Sequence, residues 1–307
     1  MDAISSLIRM ARLEATLDVR CLLAGSHVLN NPPRGPGEAP FHVLLDGHCV
    51  VETGTSRVEM HAGDVLVLPR AHGHRVRVTG LRPTAPVEEY AGRSVTTVSS
   101  AAPPEVDLFC GHYSFGPGAG QLLFDGLPEV LYGSFGSEAD SPLRLLGELM
   151  RQEAGADGPA AGALLASLCE ALLALALRGA GDERAGVPRL TSPWTAVRDP
   201  GLRAVVDTVV QRPEEAWTIT RLARVAGVSR ATLVRRFPAA TGMSVAEFLA
   251  RIRMTVAADL LTTTERGLDD IAMSVGYRSP SAFGRTFRTL TGTTPARLRR
   301  TTATIGR

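Results

Sequence analysis

The sequence predicts an α+β chain of more than one domain: a β-barrel or sandwich trailed by two helices, then an all-helical carboxy-terminal third. Three observations predict this. Short apolar runs punctuated by turn signals fill the chain from about Leu17 to Phe135. Leucines at three- and four-residue intervals follow between Pro142 and Arg178. A helical pattern after Gly201 then occurs twice. The 307 residues leave room for two domains of ordinary size. With 44% hydrophobic and 21% charged residues, the composition excludes wholesale disorder.

The first zone contains His42-Val43-Leu44-Leu45, Val65-Leu66-Val67-Leu68 and Val106 to Phe115. Between them stand Asn31-Pro32-Pro33, Asp46-Gly47, Ala62-Gly63-Asp64 and Pro103-Pro104. Short strands at such spacing read as a sandwich or barrel. In the second zone Leu143, Leu146, Leu149 and Met150 share a helical period, and after the break at Gly155 to Pro159 the period resumes through Leu177. The second helix is apolar over a wide arc, so it is expected to be buried in its own domain or against a second copy of the chain. A homodimer contact is the favoured reading. Residues 181–200 are expected to be a linker. The domains are then 1–180, with helices at about 142–178, and 201–307.

A net charge of +2 hides an asymmetry: residues 201–307 carry a net +9 and the rest −7. All 33 basic residues are Arg. A basic block joined to an acidic one points to a polyanion-binding domain attached to something else, against the plain alternative of a solvated basic surface. No apolar run reaches the roughly 18 residues of a membrane span. The longest, Ala160 to Leu177, is interrupted by Gly162, Ser167 and Glu170. Met1-Asp2-Ala3 opens no secretory signal. A cytoplasmic protein with no membrane partner is expected. Cys21, Cys49, Cys110 and Cys169 show no zinc-finger spacing, and without secretion they are expected to be reduced at rest.

The carboxy-terminal repeat carries the chemistry. Leu222-Ala223-x-x-Ala226-Gly227-Val228 is answered by Ile271-Ala272-x-x-Val275-Gly276-Tyr277. Leu233-x-x-x-Phe237-x-x-x-Thr241-Gly242 is answered by Phe283-x-x-x-Phe287-x-x-x-Thr291-Gly292. Each unit, at about 218–237 and 268–287, fits a helix-turn-helix. Leu222 and Val225, or Ile271 and Val275, face a small core. Gly227 and Gly276 sit where a tight turn needs positive φ. Ser229 and Ser279 cap the second helix. Its outer face then carries Arg230, Ala231, Val234 and Arg235 in one unit and Arg278, Ser281, Gly284 and Arg285 in the other. Arg suits guanine O6 and N7, and small residues permit close approach to a major groove. Pro238 is expected to end or bend the first recognition helix. Between the units, Val245 to Leu261 reads as one helix with Phe248, Leu249, Ile252, Val256 and Leu260 buried. It would hold the two recognition helices about 34 Å apart, one turn of DNA.

The segment Leu268 to Tyr277, with Ser279-Pro280-Ser281-x-Phe283-x-x-x-Phe287 and Thr291-Gly292-Thr293-Thr294-Pro295 after it, resembles the AraC/XylS family of bacterial transcription regulators. The likeness spans Leu202 to Arg300. It implies sequence-specific binding to double-stranded DNA and contact with RNA polymerase. Phe41 to Gly47 and Ala62 to Pro69, followed by Ala71-His72-Gly73-His74, resemble the cupin sensor domain of one AraC-family branch. That resemblance implies a signal-sensing barrel, with no catalysis expected. Three signals stay open. A metal ion could be held by His42 and His74 with His72 beside them, although the paired histidines and glutamate of metal-binding cupins are incomplete. Cys21 and Cys110 could be oxidised to a disulfide, with Arg20 and His112 lowering a thiol pKa. An organic effector could lie against Phe41, Val43, Leu66 and Phe109. Other classes weighed are a cupin metal enzyme, a nonspecific nucleoid-binding protein and a redox sensor acting through a protein partner.

Overall fold

In the computed structural model, residues 2–136, 138, 141–156, 158–179 and 199–305 are described. The chain divides into two compact units. One comprises Glu14–Ser114 and Glu129–Arg189, the other Met1–Leu13, Phe115–Pro128 and Leu190–Arg307. The division departs from the expected boundary at residue 180, because two short segments of the first half join the helical unit. The expected linker at 181–200 lies, up to residue 198, outside the described residues.

The β unit has eleven strands among its described residues. They are β1 (Glu14–Leu23), β2 (His27–Asn31), β3 (Glu38–Asp46), β4 (His48–Glu52), β5 (Arg57–His61), β6 (Asp64–Val67), β7 (His74–Val78), β8 (Val87–Ala91), β9 (Thr96–Ser100), β10 (Val106–Ser114) and β11 (Leu131–Ser134). Seven form a sheet in the order β11-β6-β3-β10-β1-β9-β8, and four form a second in the order β2-β7-β4-β5. Every pairing is antiparallel except β1 with β9. The space between the sheets is filled by Leu23, Leu44, Val51, Met60, Leu66, Val76 and Leu108, with Cys21 and Cys49 among them. The β unit continues into two helices, Pro142–Ala156 and Ala161–Gly179, matching the two leucine-rich segments.

Strand β3 is buried on both faces from Ala39 to Leu45, which explains its unbroken apolar run. His42 and Leu44 face the second sheet, while Phe41, Val43 and Leu45 point the other way by strand alternation. Phe41 lies against Tyr113, whose hydroxyl donates to the Cys169 carbonyl on the second helix at 2.8 Å. Leu45 meets Gly147 on the first. Of the four expected effector-wall residues, only Leu66 belongs to the cluster between the sheets. Phe41, Val43 and Phe109 are buried outside that cluster, because their odd–even positions turn them toward the opposite face. The Ala161–Gly179 helix is long and apolar enough, by length and composition, to cross a membrane. Glu170 and the small residues do not interrupt it as expected. Its Leu165, Cys169, Leu172, Leu173 and Ala176 are buried within the unit, the arrangement of a core helix.

In the described residues of the chain the helices run α1 (Ala3–Ala11), α2 (Ala119–Asp125), α3 (Pro142–Ala156), α4 (Ala161–Gly179), α5 (Pro200–Gln211), α6 (Ile219–Val225), α7 (Arg230–Thr241), α8 (Val245–Thr263), α9 (Leu268–Ser274), α10 (Pro280–Thr291) and α11 (Pro295–Ile305). All but α3 and α4 belong to the helical unit. Ser229, Ser244 and Ser279 cap α7, α8 and α10, each accepting a hydrogen bond from a backbone N–H of the first turn. Helix α7 does not end at Pro238 but runs to Thr241. Burial of Phe237 and Thr241 on either side holds the turn together, and the Thr241 hydroxyl donates to the Phe237 carbonyl at 2.8 Å.

Candidate DNA interface and sensor core

Two tight turns set the recognition helices. Gly227 has φ +66° and Gly276 φ +84°, a region costly for any residue with a Cβ. Leu233 and Phe237 point α7 into the core, and Phe283 and Phe287 do the same for α10; all four are buried. The i, i+4 period then leaves Arg230, Ala231, Val234 and Arg235 exposed on α7, with Val234 52% exposed. Arg278, Ser281 and Arg285 are exposed about α10, and Gly284 is half-buried between them. Val225, expected in the core, is 37% exposed. It aligns with Ser274 rather than Val275, so Ala226 is the true counterpart of Val275.

The cations of this surface separate into two sets. Among the described residues Arg230, Arg235, Arg278 and Arg285 form no ion pair with a carboxylate. By contrast, Arg236 pairs with Asp199, Arg221 with Glu215, and Arg212 with Glu215. The first set is thus left available to phosphates and base edges, while the second ties loops to helices.

Arg253 on α8 was not singled out by sequence reasoning. Its Nε donates to the Pro213 carbonyl at 2.8 Å and its Nη2 to the Glu215 carbonyl at 2.9 Å, and the guanidinium lies 5.6 Å from the Tyr277 ring centroid. A Cβ on Gly276 would stand 2.7 Å from both the Arg253 Nη2 and the Glu214 carbonyl. One side chain thereby fastens the loop before the first helix-turn-helix to the turn of the second. Its signal in the sequence is only an arginine on the inner side of an otherwise apolar helix.

In the β unit the sequence-predicted sensor residues form a line rather than a cluster. Cys110 on β10 lies opposite Val19 of β1, and Cys21, two residues on along β1, shares that face of the sheet. The Cys110 Sγ lies 3.2 Å from His42 Nδ1, and His42 Nε2 lies 2.7 Å from His74 Nε2. His74 Nδ1 stands 3.2 Å from the His72 carbonyl. The tautomers follow from this end. A carbonyl only accepts, so His74 Nδ1 carries the proton and His74 Nε2 is bare in the neutral ring. His42 therefore donates from Nε2 and accepts at Nδ1 from the Cys110 thiol. Burial keeps both rings neutral: it lowers His74 and brings His42 from 6.5 to about 3. The Cys110 thiol is raised well above its usual range by the neighbouring Cys21 thiol and by burial. Cys49 and Cys169 are pushed up to about 12, mainly by burial.

Two expectations need correction here. Arg20 and His112 do not activate the thiols. Arg20 is held by Asp107 at 2.9 Å and lies over Phe109, on the face opposite Cys21, and His112 Nδ1 bonds Asp18 at 2.9 Å. The three-histidine metal site does not form. His72 is exposed and contributes only its carbonyl, because the chain turns at Ala71, where φ is +53°. The His42 ring touches Cys110 through one nitrogen and His74 through the other, so these groups do not converge on one point. Among the described residues no group of three or more His, Cys, Asp or Glu could hold a metal ion. The residues present do not fit a metal centre.

Fold and surface together define a class: a protein with paired groove-reading helices attached to a β domain. A family described as cupin matches residues 2–181, and one described as a helix-turn-helix domain matches residues 222–301. The chain belongs to the AraC-type regulators with an amino-terminal cupin domain, and it is a DNA-binding transcription regulator. It is 26% identical to an uncharacterized HTH-type transcriptional regulator of Haemophilus influenzae, over 98% of this chain and 99% of that one. It is 27% identical to the RCS-specific HTH-type transcriptional activator RclR of Escherichia coli K12, over 97% of each. Among solved structures, the DNA-binding domain of AdpA in complex with a target DNA is 34% identical, covering 34% of this chain and 92% of that one with a TM-score of 0.32.

Proposed function

We propose that this regulator reads thiol oxidation in its cupin unit and answers by changing how it binds its operator. It acts by binding and not by catalysis, in the cytoplasm where its DNA lies, and works with RNA polymerase at the promoter. The observation that carries the reading is the placement of Cys21 and Cys110 diagonally on neighbouring antiparallel strands, Cys21 opposite Leu108 and Cys110 opposite Val19, with the Cys110 Sγ 3.2 Å from His42 Nδ1. The full-length Escherichia coli relative described as RCS-specific is consistent with it.

The chemistry balances with a hypohalous acid as oxidant. The Cys21 sulfur takes the halogen, and hydroxide leaves as water with the thiol proton. The Cys110 sulfur then attacks Cys21, halide departs, and the Cys110 proton is relayed through His42 and His74 to the cleft that His74 lines, so that neither buried ring is left charged. Two thiols are oxidised to one disulfide and one hypohalous acid is reduced to halide.

The test is binding of the full-length protein to its own upstream DNA, reduced and after mild hypochlorite. A change in affinity that dithiothreitol reverses, and that Cys21→Ser abolishes, is expected. Equal binding in both states defeats the redox reading and leaves DNA-binding regulation standing. A specific observation then favours a polar organic effector: a cleft of about 480 Å³ lined by Asn30, Asn31, Glu52, Thr53 and Arg75 opens at His74, the partner of His42.

A further inference from the structure

The helical unit contains two segments that no helix-turn-helix pattern requires, α1 with Leu13 and α2 with its flanks, Phe115–Pro128. Between them they touch both halves of the DNA-binding machinery. At one end, the Ala3 backbone N–H donates to Asp207 on α5 at 2.9 Å, and α5 closes on the first unit where a Cβ on Gly201 would meet the Ala226 carbonyl at 2.7 Å. Ala226 is the C-cap of α6, at the first helix-turn-helix turn. At the other end, Ala119 and Leu122 of α2 are buried in one cluster with Met254, Ala258, Ile271 and Phe283, the core of the second unit. In the middle, a Cβ on Gly120 would lie 2.9 Å from the Ala11 carbonyl, so α1 and α2 touch backbone to backbone. Arg12, the C-cap of α1, pairs with Asp259 on α8 at 3.2 Å.

We infer that α1 and α2 form a brace that fixes the separation of the two recognition helices, in parallel with α8. Helix α8 joins the two helix-turn-helix units through one 19-residue rod, with the Arg253 contact to the Pro213–Glu215 loop and Tyr277 at a single point beside it. Such a rod sets a length, but one contact close to its axis has little leverage on the angle between α7 and α10. A second connection that grips α5 on one side and the α9–α10 core on the other fixes that angle. Leu122 is the positioning residue on which the grip turns: it is 4% exposed and belongs to the second unit's core without touching the groove-reading face. Gly118 explains how α2 gets so close, since a Cβ there would sit 3.3 Å from Ala258 Cβ and 3.4 Å from Leu298. The inference rests on the reading of α7 and α10 as groove readers only for its consequence on DNA, not for the brace itself.

The experiment measures the distance distribution between spin labels at Ala239→Cys on α7 and Thr289→Cys on α10, both exposed, in DNA-free full-length protein. Protein with native cysteines alone serves as the labelling control. A single narrow peak is expected, lost to a broad distribution in Leu122→Ala and kept in Leu122→Met. A distribution unchanged in Leu122→Ala overturns the brace. The same unlabelled variants are then bound to operators whose two half-sites are separated by stepwise-varied spacers around one helical turn. Loss of packing alone lowers affinity equally at every spacing, whereas the brace predicts that Leu122→Ala flattens the preference for one spacing. If wild-type protein shows no spacing preference while the peaks behave as expected, the groove-reader assignment fails and the brace stands.

Discussion

At His42, burial outweighs every other influence on the ring. Its pKa falls to about 3, first by desolvation and then through His74 and Arg34. The native ring is neutral, while the unfolded chain takes up a proton below pH 6.5. The stability tied to this group is therefore complete above pH 6.5 and is lost as the pH falls toward 3, by about 1.4 kcal/mol for each unit of pH. His74 is lowered by burial too and adds in the same direction. Urea unfolding across that window is expected to show a midpoint that drops with acid, and a shallower drop in His42→Gln; identical slopes would mean that His42 is not held neutral. A second residue, Arg253, works through geometry instead of charge. Its fork serves the Pro213 and Glu215 carbonyls together, so Arg253→Ala strips the side-chain donor from the Pro213 carbonyl, while the Glu215 carbonyl keeps the Trp217 N–H at 2.8 Å; the buried acceptor left unsatisfied costs about 1–3 kcal/mol. Arg253→Lys keeps the cation over Tyr277 but cannot span both carbonyls. Calorimetry is expected to rank wild type above Lys above Ala. Full recovery by Lys would assign the stability to the cation–π contact.

At the scale of the helix, exposure and pairing divide side chains with the same chemistry. Arg235 and Arg236 are neighbours on α7, but only Arg236 is tied, to Asp199. Arg235→Ala is expected to cost about 1–3 kcal/mol at one base position and to relax specificity there. Arg236→Ala should leave the base preference intact. Competition binding against single-base operator variants decides it; uniform weakening by Arg235→Ala would make that residue a phosphate contact. The recognition helices were legible because their causes are local: serine caps, glycines at positive φ, and aromatic pairs one turn apart. The same logic missed α2, whose seven residues follow Gly116-Pro117-Gly118 inside the zone expected to hold short strands. Its helix is stabilised by packing on α8, which no local pattern encodes. That packing also explains why the stripe on α8 was misjudged. Leu249, Val256 and Leu260 are only partly buried, whereas Met254, Ala257, Ala258 and Leu261 are buried, because the helix is covered on a second side. In the β unit the expectation that Cys21 and Cys110 lie on neighbouring strands was accessible, and β1 does pair with β10. Their link to His42 was not, because it depends on β3 lying beside β10 in the register Cys110 to His42.

Across the whole chain, the charge asymmetry now has a physical division behind it, because the positive excess falls on the carboxy-terminal segment that carries both helix-turn-helix units. The covalent path also matters. The chain enters β1 directly after α1 and leaves β10 directly into the Phe115 segment of α2, so the strands that hold Cys21 and Cys110 are continuous with both arms of the brace. The apolar surplus lies less on α4, whose inner face is consumed by the β unit, than on Leu145 and Leu149 of α3 and Leu164 of α4, at 59%, 48% and 47% exposed. Leu145 and Leu149 stand one turn apart on a single face. Leucines left in water this way are each worth up to about 1.5–3 kcal/mol when covered, enough for a few of them to support a weak dimer. We therefore expect a homodimer through this face. Leu145→Glu with Leu149→Glu should convert it to monomer in sedimentation equilibrium, with the melting temperature little changed because both side chains are already exposed. A wild-type protein that sediments as a monomer at concentrations well above those used for operator binding would remove the dimer, and DNA recognition would then rest on the paired helix-turn-helix units of a single chain.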